Sequence, residues 1–158
     1  MSIRPATRSD VPIILELIHD LAIYEKEPNA VKTTEAMLES ALFGDSPKVF
    51  ANIAEDQNGV QGFALWFLNY STWEGVHGIY LEDLYVRPEA RGGGHGKALL
   101  KNLANIAVER GYARVEWSVL KWNTPSIDFY RSLGATPMEE WDTFRLTGLA
   151  LETFGGQA

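Results

Sequence analysis

Cysteine is absent from this 158-residue chain. That excludes a thiol nucleophile and a disulfide framework, so any acyl group must pass directly to its acceptor or rest on some other residue. A basic excess is missing too: 14 Lys and Arg stand against 21 Asp and Glu, for a net charge of −7. Nucleic acid is therefore disfavoured as a partner, because it needs a basic face to displace counterions. Small cations suit this balance better, although mild acidity also serves solubility alone. No apolar stretch reaches the roughly 18 residues of a membrane span, the N-terminus lacks a signal peptide's basic start and apolar core, and no repeat or low-complexity run occurs. These absences lead us to expect a single cytoplasmic domain with one core and with neither membrane nor nucleic-acid partners. His19, His77 and His95 share no metal-ligand spacing, so no metal is expected. Neither a Ser-His-Asp order nor a nucleophile elbow is visible.

What the chain does have is a strand-like run, Leu81-Glu82-Asp83-Leu84-Tyr85-Val86, joined to an amphipathic helix by the glycine-dense loop Arg91-Gly92-Gly93-Gly94-His95-Gly96. Glycines reach backbone angles barred to other residues and let consecutive N–H groups converge, while a helix's first turn adds unpaired N–H groups and a positive dipole end. A phosphate or pyrophosphate fits such a loop. It is not a P-loop: Gly92 and Gly96-Lys97 enclose three residues instead of four, and Ala98 follows. Nor is it a dinucleotide fingerprint, since Lys97 and Leu99 stand where that pattern needs glycine or alanine.

Elsewhere the periodicities predict helices and strands in alternation. Ile3 to Ala6 reads as a strand, and Thr7 or Ser9 as the cap of a helix whose buried face is Val11, Ile14, Leu15, Ile18, Leu21 and Ala22, ending near Lys26. Thr33 or Thr34 opens a second helix that stops at Gly44. Lys48 to Glu55 and Gly62 to Tyr70 form a hairpin about Asp56-Gln57-Asn58-Gly59. Gly78 to Val86 is the next strand, and the helix from Gly94 ends at Gly111 in a left-handed cap. Arg114 to Leu120 reads as a strand, Thr124-Pro125 starts a shorter helix closed by Gly134, and Thr136 to Leu149 is expected to form one or two final strands.

Arg91, Gly94 and Gly96 spell Arg-x-x-Gly-x-Gly after the Leu-Glu-Asp-Leu-Tyr-Val strand, and in this the chain resembles the GNAT superfamily of N-acetyltransferases. The opening Ile3-Arg4-Pro5-Ala6-Thr7, the run from Asn123-Thr124-Pro125-Ser126 to Phe129-Tyr130, and a closing Gly134-Ala135 extend the likeness over roughly residues 3–147 of a single domain spanning 1–158. Leu21-Ala22-Ile23-Tyr24-Glu25 and Tyr80-Leu81-Glu82-Asp83 are most similar to the diamine (spermidine/spermine) N-acetyltransferases and their thialysine-acetylating relatives. The resemblance implies an α/β (α+β) fold with a mixed, mostly antiparallel sheet splayed after its fourth strand and flanked by helices. Acetyl-CoA would enter the opening as co-substrate. Its pantetheine would pair with Leu84, Tyr85 and Val86, its pyrophosphate would lie on Arg91, Gly92, Gly93, Gly94, the backbone of His95, Gly96 and Lys97, and Asn123, Pro125 and Ser126 would add further contacts. Tyr24, Glu25, Trp73, Glu82, Asp83, Glu116, Trp117 and Ser118 would surround a small-molecule amine, in a homodimer with sites near the interface.

By the same resemblance Tyr130 is the general acid and Glu82 the base. Protonating a CoA thiolate, with an intrinsic pKa near 8.5, from a phenol near 10 is uphill by about 2 kcal/mol, tolerable if concerted with C–S cleavage. From periodicity alone, Tyr130 equally well packs beside Ile127. An amine with a pKa near 10.4 must lose a proton at a cost of roughly 4–5 kcal/mol at pH 7, and a carboxylate both accepts that proton and stabilises the ammonium, so Glu82 is either base or cation anchor. Glu82 and Asp83, being adjacent on a strand, cannot share a face unless a bulge intervenes. Trp66, Trp73, Tyr80, Trp117 and Trp122 are either cation–π walls or ordinary core and interface residues. The expected function is direct acetyl transfer from acetyl-CoA to a polyamine or diamine. The alternatives are thialysine, another amino acid or a protein amine as acceptor, or a CoA-sensing module without turnover.

Overall fold

The strands take their places from one alternation: in the two central antiparallel strands, odd-numbered apolar residues pack on one sheet face and even-numbered ones on the other. The computed structural model describes residues 1–156 and separates into two units, Met1–Ser118 and the segment from Val119 onward. In the first unit, β1 (Ser2–Pro5), β2 (Phe50–Asp56), β3 (Gly59–Ser71), β4 (Val76–Val86) and β5 (Val115–Glu116) form one sheet in chain order. The first four are antiparallel and β5 runs parallel to β4. The expected mixed, mostly antiparallel sheet is thus present.

Helices α1 (Val11–Tyr24) and α2 (Glu35–Phe43) cover the face bearing Ala51, Ile53, Phe63, Leu65 and Tyr85, to which they add Val11, Ile14, Leu17, Leu38 and Leu42. Phe63, Ile14, Leu17 and Ile53 are wholly buried, each stabilising the fold by about 1.5–3 kcal/mol relative to exposure. Helix α3 (His95–Arg110) packs on β2, β3 and β4 through Leu99, Leu100, Leu103 and Ala107. Thr34 caps α2 by accepting from the Met37 amide at 3.2 Å, and α3 stops at Gly111, φ +72°. Before α1, Asp10 locks the chain start: it takes two bonds from the Arg4 guanidinium, at 2.7 and 3.0 Å, and one from the Thr7 amide at 2.7 Å.

Three expectations need correction. Helix α1 ends at Tyr24 instead of near Lys26, and Lys26 itself turns out of the helix at φ +65°. The strand expected over Arg114–Leu120 shrinks to Val115–Glu116, because only Ile79 and Tyr80 of β4 offer it an edge before a bulge at Glu82 disrupts the ladder. No strand forms over Thr136–Leu149. The second unit holds α4 (Thr124–Ser132) and α5 (Gly148–Gly155), joined by irregular backbone whose side chains are mostly exposed. Residues 136–147 carry no strand among the described residues, and Leu149-Ala150-Leu151-Glu152 are good helix formers and lie in α5.

Candidate active site

Strand β4 builds the site by what it leaves unpaired. On one side it is bonded to β3 along its whole length; on the other, β5 takes only Ile79 and Tyr80, so the edge from Leu81 to Val86 is open. Such an edge offers alternate unpaired backbone groups on which an extended chain can pair as an added strand.

The bulge decides where the acids point. Leu65 faces Asp83 across the ladder and Trp66 faces Leu81, which leaves Glu82 as the extra residue. Cross-strand partners share a face, so Asp83 lies with Leu65 and Tyr85 on the side of the sheet covered by α1. Leu81 lies with Trp66 on the α3 side, and Glu82, following Leu81, turns to the α1 side as well. The expected conflict between the two neighbours is thus removed, and the α1 side is also where Glu25 caps the end of α1. Burial, then the charges of Glu82 and Glu25, push the Asp83 carboxyl up to about 6. Burial and the Glu82 charge also raise Glu25. None of the three side chains is in an ion pair or hydrogen bond among the described residues.

At the C-terminal end of β4, Pro88–Ala90 makes one 3₁₀ turn and the glycine loop follows. Gly92 and Gly94 both take φ +86°, a left-handed conformation that costs a residue with a Cβ about 1–2 kcal/mol. The first backbone bond of α3 runs from the Ala98 N–H to the Gly94 carbonyl, 2.9 Å, so the amides of His95, Gly96 and Lys97 precede the helical ladder at its positive end. The glycines thus bring the loop into the first turn of α3, as the sequence led us to expect.

Arg91 is turned another way. Its Nε donates to the Val86 carbonyl at 3.1 Å, and its guanidinium lies 5.0 Å from the Tyr24 ring and 5.5 Å from the Tyr85 ring. It braces the loop against the end of α1, where a cleft is lined by Asp20, Tyr24, Tyr85, Arg87, Glu89 and Arg91.

The remaining predicted residues have surroundings of their own. Trp73 is 88% exposed in the turn after β3, six strand residues or about 20 Å along β4 from Glu82. Glu116 is engaged already, accepting from Asn69 Nδ2 at 3.0 Å and pairing with Arg114 at 2.9 Å. Ser118 is bonded to the Tyr80 hydroxyl at 2.9 Å, and Trp117 between them is half-buried. In the second unit, Asn123 is the N-cap of α4, accepting from the Ser126 amide at 3.4 Å, with Pro125 in the first turn. Tyr130 lies in the last turn, half-buried, its ring 5.7 Å from that of Phe129. The sequence raised the bulge only as a condition, and it gave no sign of a side-chain contact between His95 and Asp56, 3.3 Å apart.

The model of the acetyltransferase (GNAT) family matches residues 14–135. The chain belongs to that family. It is 39% identical to thialysine N-epsilon-acetyltransferase of Bos taurus over 98% of this chain and 97% of that one. A 38% identity links 90% of it to 22% of the human spermidine/spermine N(1)-acetyltransferase-like protein 1. Among solved structures, an integron cassette protein from the mobile metagenome of V. cholerae superposes with a TM-score of 0.83 at 26% identity, covering 99% of this chain and 98% of that one. The fold and the enzyme class are those of a GNAT N-acetyltransferase, a family that uses acetyl-CoA as co-substrate. No helix among the described residues is long and apolar enough to cross a membrane.

Proposed function

We propose that this acetyltransferase moves the acetyl group of acetyl-CoA directly to a terminal primary amine of a diamine or polyamine, as a cytoplasmic homodimer. The observation that carries the acceptor class is the cluster of Glu82 and Asp83 on β4 with Glu25 at the end of α1, three acids whose side chains pair with no cation among the described residues. An entering polycation supplies the missing charges. The dimer suits the exposed Trp141, Phe144 and Phe154, which a second subunit would cover.

The chemistry follows from proton affinities. An ammonium must lose its proton before it can attack, at roughly 4–5 kcal/mol for a pKa near 10.4 at pH 7. A carboxyl lifted to about 6 is a better acceptor than an ordinary aspartate, so Glu82 and Asp83 together offer a place for that proton and a second anchor for the remaining charge. The amine nitrogen then bonds to the thioester carbonyl carbon, the C–S bond breaks, the departing thiolate takes a proton from Tyr130, and the proton that the nitrogen sheds on becoming an amide restores the Tyr130 phenol. In this reading Leu84 to Val86 would hold the pantetheine of acetyl-CoA, and the amides of His95 to Lys97 would hold its pyrophosphate.

A second reading is favoured by the bovine relative: a basic amino acid such as thialysine, whose α-amino group supplies the second cation. Its own carboxylate would be repelled by the acid cluster, and this sets the test. The values of kcat/KM for spermidine, a short diamine, a monoamine of equal length and thialysine are compared at low and high salt. We expect the diamine and spermidine to lead, with an advantage that shrinks in salt and falls in Glu25→Gln through KM. A lead for thialysine would establish the second reading; equal rates for diamine and monoamine would remove the polycation assignment.

A further inference from the structure

His95 opens α3 inside the cofactor loop, yet its ring has no role in the reading above. The residue is only 6% exposed, its Nε2 lies 3.3 Å from Asp56 Oδ2, and neither ring nitrogen makes a hydrogen bond. Burying a polar ring unsatisfied at both nitrogens is unfavourable, so an apolar side chain would serve stability better there.

The surroundings tie the ring to the loop. A Cβ on Gly93 would stand 3.1 Å from both Cε1 and Nδ1 of His95, so the loop backbone lies against the imidazole. Asp56, at the end of β2, is itself held: the Asn58 amide donates to its Oδ1 at 2.8 Å and Gln61 Nε2 at 3.2 Å, leaving Oδ2 towards the imidazole. Those bonds, Asn58's first, keep the Asp56 carboxyl below the usual range, so it stays an anion. Other charges on the packed elements are engaged or turned out. Arg4 of β1 pairs with Glu55 of β2 at 3.0 Å and Arg87 after β4 pairs with Glu16 at 2.9 Å. Arg91 in the loop is stacked on Tyr24 and Tyr85, Lys97 on α3 is exposed, and the Met1 amino group stands at the exposed start of the chain.

We propose that His95 is a positioning residue that couples cofactor binding to the uptake of one proton: as the pyrophosphate settles on the loop, the imidazole takes a proton from solvent, bonds Asp56 through Nε2–H and sets a positive charge beneath the two phosphoryl anions. No covalent bond changes, and the proton returns to solvent on release. The inference rests on the reading of this loop as the pyrophosphate site. Because the bound state holds more protons than the free state, affinity must fall as pH rises, by at most tenfold per pH unit.

The test is titration calorimetry with 3′-dephospho-CoA, which lacks the phosphomonoester whose own second ionisation lies near pH 6. Measurements in buffers of differing ionisation enthalpy, from pH 6.5 to 8.5, give the protons taken up. Wild type is expected to take up a substantial fraction of one proton and to lose affinity with rising pH, while His95→Gln binds with no uptake and a flat profile. If His95→Gln fails to fold, Asp56→Asn, which keeps the imidazole and removes its counter-charge, is expected to lower the uptake. Binding without proton uptake in wild type, or uptake that persists in His95→Gln or is undiminished in Asp56→Asn, would overturn this inference alone. A folded wild type that does not bind the nucleotide at all would overturn the loop assignment with it.

Discussion

Replacing Asp83 by Asn should stabilise this enzyme at alkaline pH and leave it nearly unchanged in acid. Burial and the neighbouring Glu82 and Glu25 raise the Asp83 carboxyl from 3.8 to about 6. The folded state therefore binds this proton more tightly than the unfolded chain. The stabilising contribution is complete below 3.8 and is lost as pH rises through 6, so at pH 8 the ionised group opposes folding by about 3 kcal/mol at most. Relaxation of the exposed Glu82 and entry of water reduce this, and about 1.5–3 kcal/mol is the expected gain in Asp83→Asn. For a chain of this size that corresponds to a Tm roughly 3–12 °C higher at pH 8. Thermal unfolding followed by circular dichroism at pH 4, 6 and 8 makes the comparison. The variant and wild type should nearly converge at pH 4, separate between about pH 4 and 6, and keep a constant difference above about pH 7. A Tm difference that does not change with pH, or a variant less stable than wild type at pH 8, would refute the argument that three acids crowd one face at the bulge.

Asp10 carries the opposite sign: the Arg4 guanidinium holds its carboxyl below the ordinary value, so its contribution is present above 3.8 and lost as pH falls through the folded value. Asp10→Asn should cost about 2–4 kcal/mol at pH 7 in chemical denaturation, less than a fully buried pair because 31% of the Arg4 side chain is exposed, and the deficit should close in acid. Gly94→Val forces a β-branched residue to φ +86° and should weaken acetyl-CoA binding in calorimetry by about 1–3 kcal/mol, or roughly 5- to 150-fold, in a protein that still folds. Tyr130→Phe should bind acetyl-CoA normally while turnover falls roughly 10²–10⁴-fold in a thiol-release assay; a change under threefold, with product release shown not to limit, would make Tyr130 a packing residue.

The parts of the fold that were readable in the sequence are those specified locally. Helices α1 to α3 announce themselves by apolar spacing and by caps at Thr34, Gly94 and Gly111, and the β2–β3 hairpin by its polar turn at Asp56–Gly59. The glycine loop was legible for the same reason, since left-handed positions such as Gly92 and Gly94 narrow the choice of residue. The bulge at Glu82 was not, because it is a misregister against Leu65 and Trp66, nearly twenty residues away, and nothing within Leu81-Glu82-Asp83 marks which residue is extra. The contact between His95 and Asp56 joins the start of α3 to the end of β2, far apart in the chain, and Asp56 on its own reads only as a turn former. Residues 136–147 illustrate the reverse error: a strand-like composition stands there on irregular backbone.

Direct acetyl transfer to a primary amine is tested by incubating the purified chain with acetyl-CoA and spermidine or thialysine, then measuring free CoA thiol and N-acetylated amine together by mass spectrometry. Both should appear in equal amounts, depend on the amine and vanish without it. Thiol release with no acetylated amine, or no turnover with any primary amine, would contradict it.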